Sequence, residues 1–278
     1  MGHHYVPQFY LRGFTQDGRL WVHDREARRS FPSQPKAVAN ENDLYTEELE
    51  QHLANEIEDP AKGAIEAIRA RIAPTGSARE ALARYIVALW KRVPEGRTRV
   101  VAGVPEVAES LRKEYTASLE ATAASDPTLR DRAGARLLEL NAALDKFARQ
   151  PPPEVWHHNL TRDSSPNVVE SLLSMNWRFL CTDAAQFLTC DNPVFFFEHE
   201  GIGKPTSELT LPLSSSVALW ANRRPHAEPV FPIARPAAVR ELNRRTAINA
   251  TRFVYSKQQE AWILPFVCKG SYALNRIL

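Results

Sequence analysis

Thr46 to Ile72 reads TEELEQHLANEIEDPAKGAIEAIRARI, and its apolar residues Leu49, Leu53, Ile57, Ala64, Ile65, Ile68 and Ile72 fall three or four places apart wherever they cluster. That spacing lines one face of an α-helix, so the stretch is expected to be helical. Pro60 should kink or restart it, because proline lacks the N–H the ladder needs and its ring collides with the preceding turn. The helical texture continues to Gln150. Ser77 and Glu80 have the form of a capping box ahead of ALARYIVALWKRV, whose Leu82, Ile86, Leu89 and Val93 make the next apolar stripe. Pro94 and Gly96 are expected to end that helix, with two alanine-rich helices following over 105–123 and 127–149, parted by ASDP. The run QPPPE, from Gln150 to Glu154, closes the block.

On either side the texture differs. The opening, MGHHYVPQFYLRGF, suits a short helix with Pro7 in its first turn and with Tyr10, Leu11 and Phe14 buried; RLWVHDR, Arg19 to Arg25, alternates like a strand. After Asn176, WRFLCTD, QFLTCDNPVFFF, ELTLPLSSSVALWA, TRFVYS and AWILPF are short, β-branched or aromatic, and punctuated by turn residues, so each reads as strand. One amphipathic helix, Ala237 to Ala250, interrupts them. The expected fold is a single α+β domain over 1–278. It has a helical hairpin array at 46–150, inserted between an N-terminal strand/helix element and a C-terminal, mainly antiparallel sheet. Residues 1–45 join 176–278 in the strand-rich part, with the opening segment packed on the sheet.

Composition bounds the function. A chain of 278 residues with 44% hydrophobic and 24% charged residues can bury a large core. Lys+Arg 35 against Asp+Glu 33 leaves +2, so no global field implies a polyanion or a membrane surface, and any basic surface is local. Cys181, Cys190 and Cys268 are odd in number and lack C-x-x-C spacing, which argues against a disulfide framework and a zinc ribbon. With no apolar run long enough to span a bilayer and no leader pattern, a cytoplasmic protein with no membrane partner is expected. There is no P-loop, G-x-G-x-x-G, H-E-x-x-H or G-x-S-x-G, which disfavours nucleotide motors, Rossmann oxidoreductases, zincins and α/β-hydrolases.

The segments HHYVPQFYLRGF, LWVHDR, ENDLYTEELEQHLANEIED, FLTCDNPV and LTLPLSSSVAL stand in an order that resembles the bacterial family called domain of unknown function 4238, from His4 to about Ser256. The resemblance implies a shared fold and marked positions without a reaction. The family's single histidine before Y-V-P maps onto His4, and its Asp-Asn-Pro turn onto Asp191, Asn192 and Pro193. The residue before that Asp, commonly Ser in the family, is Cys190 here, so Cys190 is not expected to be a shared nucleophile.

Candidate chemistry gathers at four places. His4, held by Pro7 and flanking aromatics, can bind a metal or move a proton near neutrality; a structural histidine is the plainer reading. Glu50 and Glu58, with Glu47 nearby, place carboxylates on one face two turns apart, which is also how a solvated acidic face looks; they gain chemical meaning if His4 folds against that helix. His157 and His158 follow the proline break, and neighbours in sequence point to different faces, so one at most serves a given site. Asp191 and Asn192 sit in a turn leaving an apolar strand, a position used both by catalytic carboxylates and by simple turn formers.

Arginines complete the set. Arg92, Arg97 and Arg99 cluster, as do Arg240, Arg244, Arg245 and Arg252, and Arg240 and Arg244 share a helical face suited to phosphate.

These residues suggest a metal-assisted phosphoester hydrolase, a nuclease. His4, Asp191 and His157 would hold Mn²⁺, Mg²⁺ or Zn²⁺, Glu50 and Glu58 would lie close by, and Arg97, Arg240, Arg244 and Asn192 would hold nucleic acid. The alternative is a non-catalytic binding module in which a buried His/Asp network locks the opening segment in place. The enzyme reading requires His4 and Asp191 to converge; His3, closer to the terminus, is expected to be nearly silent on substitution.

Overall fold

The computed structural model describes residues 2–161, 166–197, 201–225 and 229–277. A short strand β1 (Gly2–His4) leads through Pro7, whose φ of −61° is set by its ring, into α1 (Gln8–Leu11) and a 3₁₀ turn over Arg12–Phe14. Tyr10, Leu11 and Phe14 are fully buried. The Tyr10 hydroxyl donates to the Pro212 carbonyl at 2.6 Å and accepts from Thr189 Oγ1 at 2.7 Å. Arg69 ties the same segment down by donating to the carbonyls of Phe9, Tyr10 and Leu213. Gly13 is required at this contact, because a Cβ there would stand 2.6 Å from the Leu213 carbonyl oxygen. The opening segment therefore packs on the C-terminal strands.

The hairpin β2 (Leu20–Asp24) and β3 (Arg29–Ser33) follows, then β4 (Asn40–Asn42), which pairs antiparallel with β1. Thr46 caps α2 (Glu47–His52) by accepting from the Leu49 N–H at 3.2 Å. A π-helical turn, Leu53–Glu58, precedes α3 (Asp59–Arg69), which restarts with Pro60 in its first turn. Proline offers no N–H to the carbonyl four residues back and pushes it away; the widened turn is where the ladder adjusts.

α4 (Gly76–Arg92) begins after Thr75, with no side-chain cap, so the expected Ser77/Glu80 capping box does not form; Glu80 instead pairs with Arg84 at 3.0 Å. α5 (Pro94–Ser125) starts at the proline expected to end a helix, since Pro suits a first helical position, and it runs through Pro105. α6 (Arg130–Arg149), α7 (Glu154–Thr161) and α8 (Pro166–Leu173) complete the helical stretch.

Next come β5 (Asn176–Cys181), β6 (Thr189–Cys190), β7 (Phe195–Phe196), β8 (Glu208–Pro212), β9 (Val217–Asn222), α9 (Pro236–Asn249), β10 (Phe253–Ser256) and α10 (Ile263–Val267). AWILPF, expected as a strand, is the helix α10, which buries Ile263 and Val267 one turn apart on a single side. The strands form two four-stranded antiparallel sheets, β3-β2-β10-β6 and β5-β9-β8-β7. The N-terminal hairpin thus completes a C-terminal sheet, with Phe253 opposite Asp24 and Ser256 opposite Trp21. The class is α+β, as expected.

Two compact units result: Met1–Glu95 with Leu160–Leu278, and Gly96–Asn159. The expected division at 46 and 150 differs, because α2, α3 and α4 bury Leu49, Leu53, Ile65, Ile68, Leu82, Ile86 and Leu89 in the unit that contains the sheets. In the smaller unit Arg112 joins α5 to α6 through Asn141 and Asp145, both at 2.6 Å. Among the described residues no helix is long and apolar enough to cross a membrane.

Candidate functional site around Arg92

Successive residues of a strand face opposite ways, so β1 sends His3 and His4 in different directions. His3 is the buried one, 6% exposed, and its Nδ1 accepts the Tyr45 backbone N–H at 3.2 Å. His4 is half-buried; its Nε2 donates to the Lys36 carbonyl at 3.3 Å, which puts the proton of the neutral ring on that nitrogen. Burial lowers the His4 pKa, and the Arg92 charge lowers it further against the raising pull of Lys36 and Glu58. The imidazole is therefore neutral at pH 7.

Arg92, at the end of α4, is the centre. Its guanidinium is 1% exposed, pairs with Glu58 of the π turn and donates to the His4 carbonyl at 2.5 Å. The Tyr45 hydroxyl donates to the Arg92 carbonyl at 2.8 Å, and the Tyr45 ring lies 5.8 Å from the guanidinium carbon. Burial alone would lower the Arg92 pKa; Tyr45 and Glu58 outweigh it and the pKa rises. Glu50, on α2, shares this field. Its pKa is raised, first by burial and then by Glu58, while Arg92 and His3 oppose. Tyr85 is fully buried beside the same groups, and burial, reinforced by Glu58, raises its pKa well above the usual value.

Three buried polar atoms of this group, Glu50 Oε2, Tyr85 OH and Arg92 Nε, have no hydrogen-bond partner among the described residues. Unpaired buried polar atoms are costly, so three in one neighbourhood single this cluster out. The cluster supplies a carboxyl whose pKa burial raises and a permanent buried cation, with the His4 imidazole in the field of Arg92 and Glu58.

Glu50 and Glu58 thus share the field of Arg92, which also binds the His4 carbonyl. Asp191 is 3% exposed, and its carboxylate accepts the backbone N–H groups of Thr251 at 2.8 Å, Arg252 at 2.7 Å and Phe253 at 2.8 Å. Burial raises its pKa against these three bonds. No hydrogen bond or ion pair joins it to His4 among the described residues. The turn carboxylate clamps the α9–β10 connection. Asn192 is also structural, donating to the Asn249 carbonyl at 3.1 Å while its own carbonyl accepts from Asn249.

Two of the residues expected to hold a metal have other partners: Asp191's oxygens are taken by N–H donors and His4 turns to Lys36. Among the described residues no three His, Cys, Asp or Glu side chains are grouped to hold an ion. Arg97 is exposed in the smaller unit, its guanidinium 5.8 Å from the Trp156 ring centre. Arg244 pairs with Glu241 at 3.4 Å and lies over Tyr272, whereas Arg240 is exposed. Cys190 is fully buried, and burial holds its thiol well above the usual pKa, so it is no nucleophile.

His3, Tyr45, Tyr85 and the central role of Arg92 were not legible as site features. The one available signal was strand alternation, which separates His3 from His4 without saying which is buried.

The family described as "Protein of unknown function (DUF4238)" matches residues 2–260, nearly the whole chain, and the chain belongs to that family. No curated protein and no solved structure matches it.

Proposed function

We propose that this member of the DUF4238 family is a phosphoester hydrolase acting on nucleic acid by acid–base chemistry at the Arg92 cluster. The observation that supports this is Glu50: a half-buried carboxyl with a raised pKa and an unpartnered Oε2, set in the field of a buried guanidinium whose Nε is also unpartnered. A carboxyl shifted toward neutrality can accept the proton of an attacking water as the water oxygen bonds to phosphorus. Arg92 opposes the negative charge that builds on the phosphoryl oxygens. The ester P–O bond breaks and the leaving oxygen takes its proton from solvent. No step is assigned to a metal.

One observation favours a second, non-catalytic reading. Arg92 is engaged by Glu58 and the His4 carbonyl, so the cluster also works as a lock that holds the opening segment on α2 and α4. Assays on single- and double-stranded DNA, RNA and bis(p-nitrophenyl) phosphate separate the two. The hydrolase reading expects Glu50→Gln to lower turnover by about 10²–10⁴-fold, the usual contribution of a general base, with an almost unchanged melting temperature. A wild-type chain inert toward all four substrates, or a fully active Glu50→Gln, leaves the lock as the function of the cluster.

A further inference from the structure

Between the first turns of α9, the segment 182–186 and the segment 260–266 lies a cleft of roughly 490 Å³, within the range that takes a small molecule. Trp262 is 40% exposed on it, meets Phe266 edge-on at 5.4 Å, and donates its indole N–H to Glu260 Oε2 at 2.7 Å. The Gln186 amide donates to the other Glu260 oxygen, and Gln186 is in turn held by the Lys257 and Gln258 backbone N–H groups at 3.1 and 3.2 Å. The ring and the carboxylate are therefore pre-oriented, and each carboxylate oxygen keeps a second lone pair.

Arg240 lines the same cleft, exposed, with no hydrogen bond, ion pair or ring contact among the described residues. It does not pair with Glu260, so a cation and an anion line one cleft without meeting. Pro236, at the positive end of the 14-residue α9, borders it as well. The complementary molecule has an anionic end, a flat ring and an edge of N–H donors.

We propose that this cleft binds a guanosine monophosphate. The base stacks on Trp262, the guanine N–H edge meets Glu260, and the phosphate is held by Arg240 at the α9 N-terminus. The inference stands apart from the Arg92 cluster and is read by binding alone, so it survives or fails independently of hydrolysis.

Calorimetric and tryptophan-fluorescence titrations of the full chain with GMP, AMP, guanosine, inorganic phosphate and L-tryptophan test it. GMP should bind saturably and more tightly than AMP, with guanosine and inorganic phosphate each weaker by about tenfold or more, the scale of one charge-assisted contact. Arg240→Ala should weaken GMP to the level of guanosine. Glu260→Gln should erase the preference over AMP. Trp262→Ala should weaken GMP and guanosine alike, and Trp262→Phe should keep binding while losing most of the quenching. Absence of saturable GMP binding, GMP binding unaffected by Arg240→Ala, or L-tryptophan binding more tightly than GMP overturns the proposal.

Discussion

At Asp191 a residue type that suggests chemistry is used for architecture. Replacing it with Ala leaves three backbone N–H groups, at Thr251, Arg252 and Phe253, without their acceptor. Thr251 is exposed and its N–H can turn to water, so at about 1–3 kcal/mol for each of the other two groups the expected loss is about 2 kcal/mol or more in a urea melt, with Asp191→Asn intermediate. A change under about 1 kcal/mol would contradict the clamp. His23 makes a pH-dependent case. Its Nε2 donates to Ser256 Oγ at 2.8 Å, because the Ser256 hydroxyl is spent on the Gln258 carbonyl, so Nδ1 accepts from Ser30 at 2.8 Å. Burial lowers its pKa to about 4. The unfolded chain therefore binds the extra proton between about pH 6.5 and 4 and the folded chain does not, so stability rises with pH across that window. On acidification His23 alone should cost on the order of 3 kcal/mol, and His23→Gln should flatten that part of the pH–stability curve.

Helix α5 shows how element-level signals compete. Two prolines that mark boundaries locally, Pro94 and Pro105, fall at its start and inside it. Pro105 is tolerated because it is solvent-exposed, with Val101, whose carbonyl it leaves unbonded, 40% exposed to water. Pro105→Ala should restore the missing bond and raise stability by about 1–3 kcal/mol, read as a higher melting temperature by circular dichroism. A lower melting temperature would mean that the fixed φ of Pro105 stabilises α5 more than the missing bond costs. The run from Glu47 to Arg69 was legible as a helix restarting at Pro60, since proline acts on its own turn. The π-helical widening before it was not, because a proline signals a restart without saying how the turns ahead of it adjust. AWILPF failed as a strand because a short apolar run carries too few residues to distinguish periods of 2 and 3.6.

Across the whole molecule the burial is uneven. β8 and β9 are buried at every position, whereas α5 and α6 together bury only Gly96, Val104, Ala108 and Leu144. Opening free energy follows buried apolar contact, so native-state hydrogen exchange should show the slowest amides in β5, β8 and β9 and markedly faster exchange through α5 and α6. Equal protection in both places would show that the smaller unit opens only with global unfolding.

What the sequence by itself determined is what depends on near neighbours: the helical periods of α2 to α6, the short strands after Asn176, the Pro7 and Pro60 starts, and hence the α+β class and the family. Each follows from steric and apolar patterns within a few residues. Only the tertiary structure decided the site. Arg92 meets Glu58 across 34 positions and the His4 carbonyl across 88, while Asp191 reaches the Thr251–Phe253 backbone 60 to 62 residues on. No local pattern carries those pairings. Whether a histidine or a carboxylate is available for chemistry depends on which distant backbone or cation comes to rest against it, and that is set by how the helices and sheets close over one another.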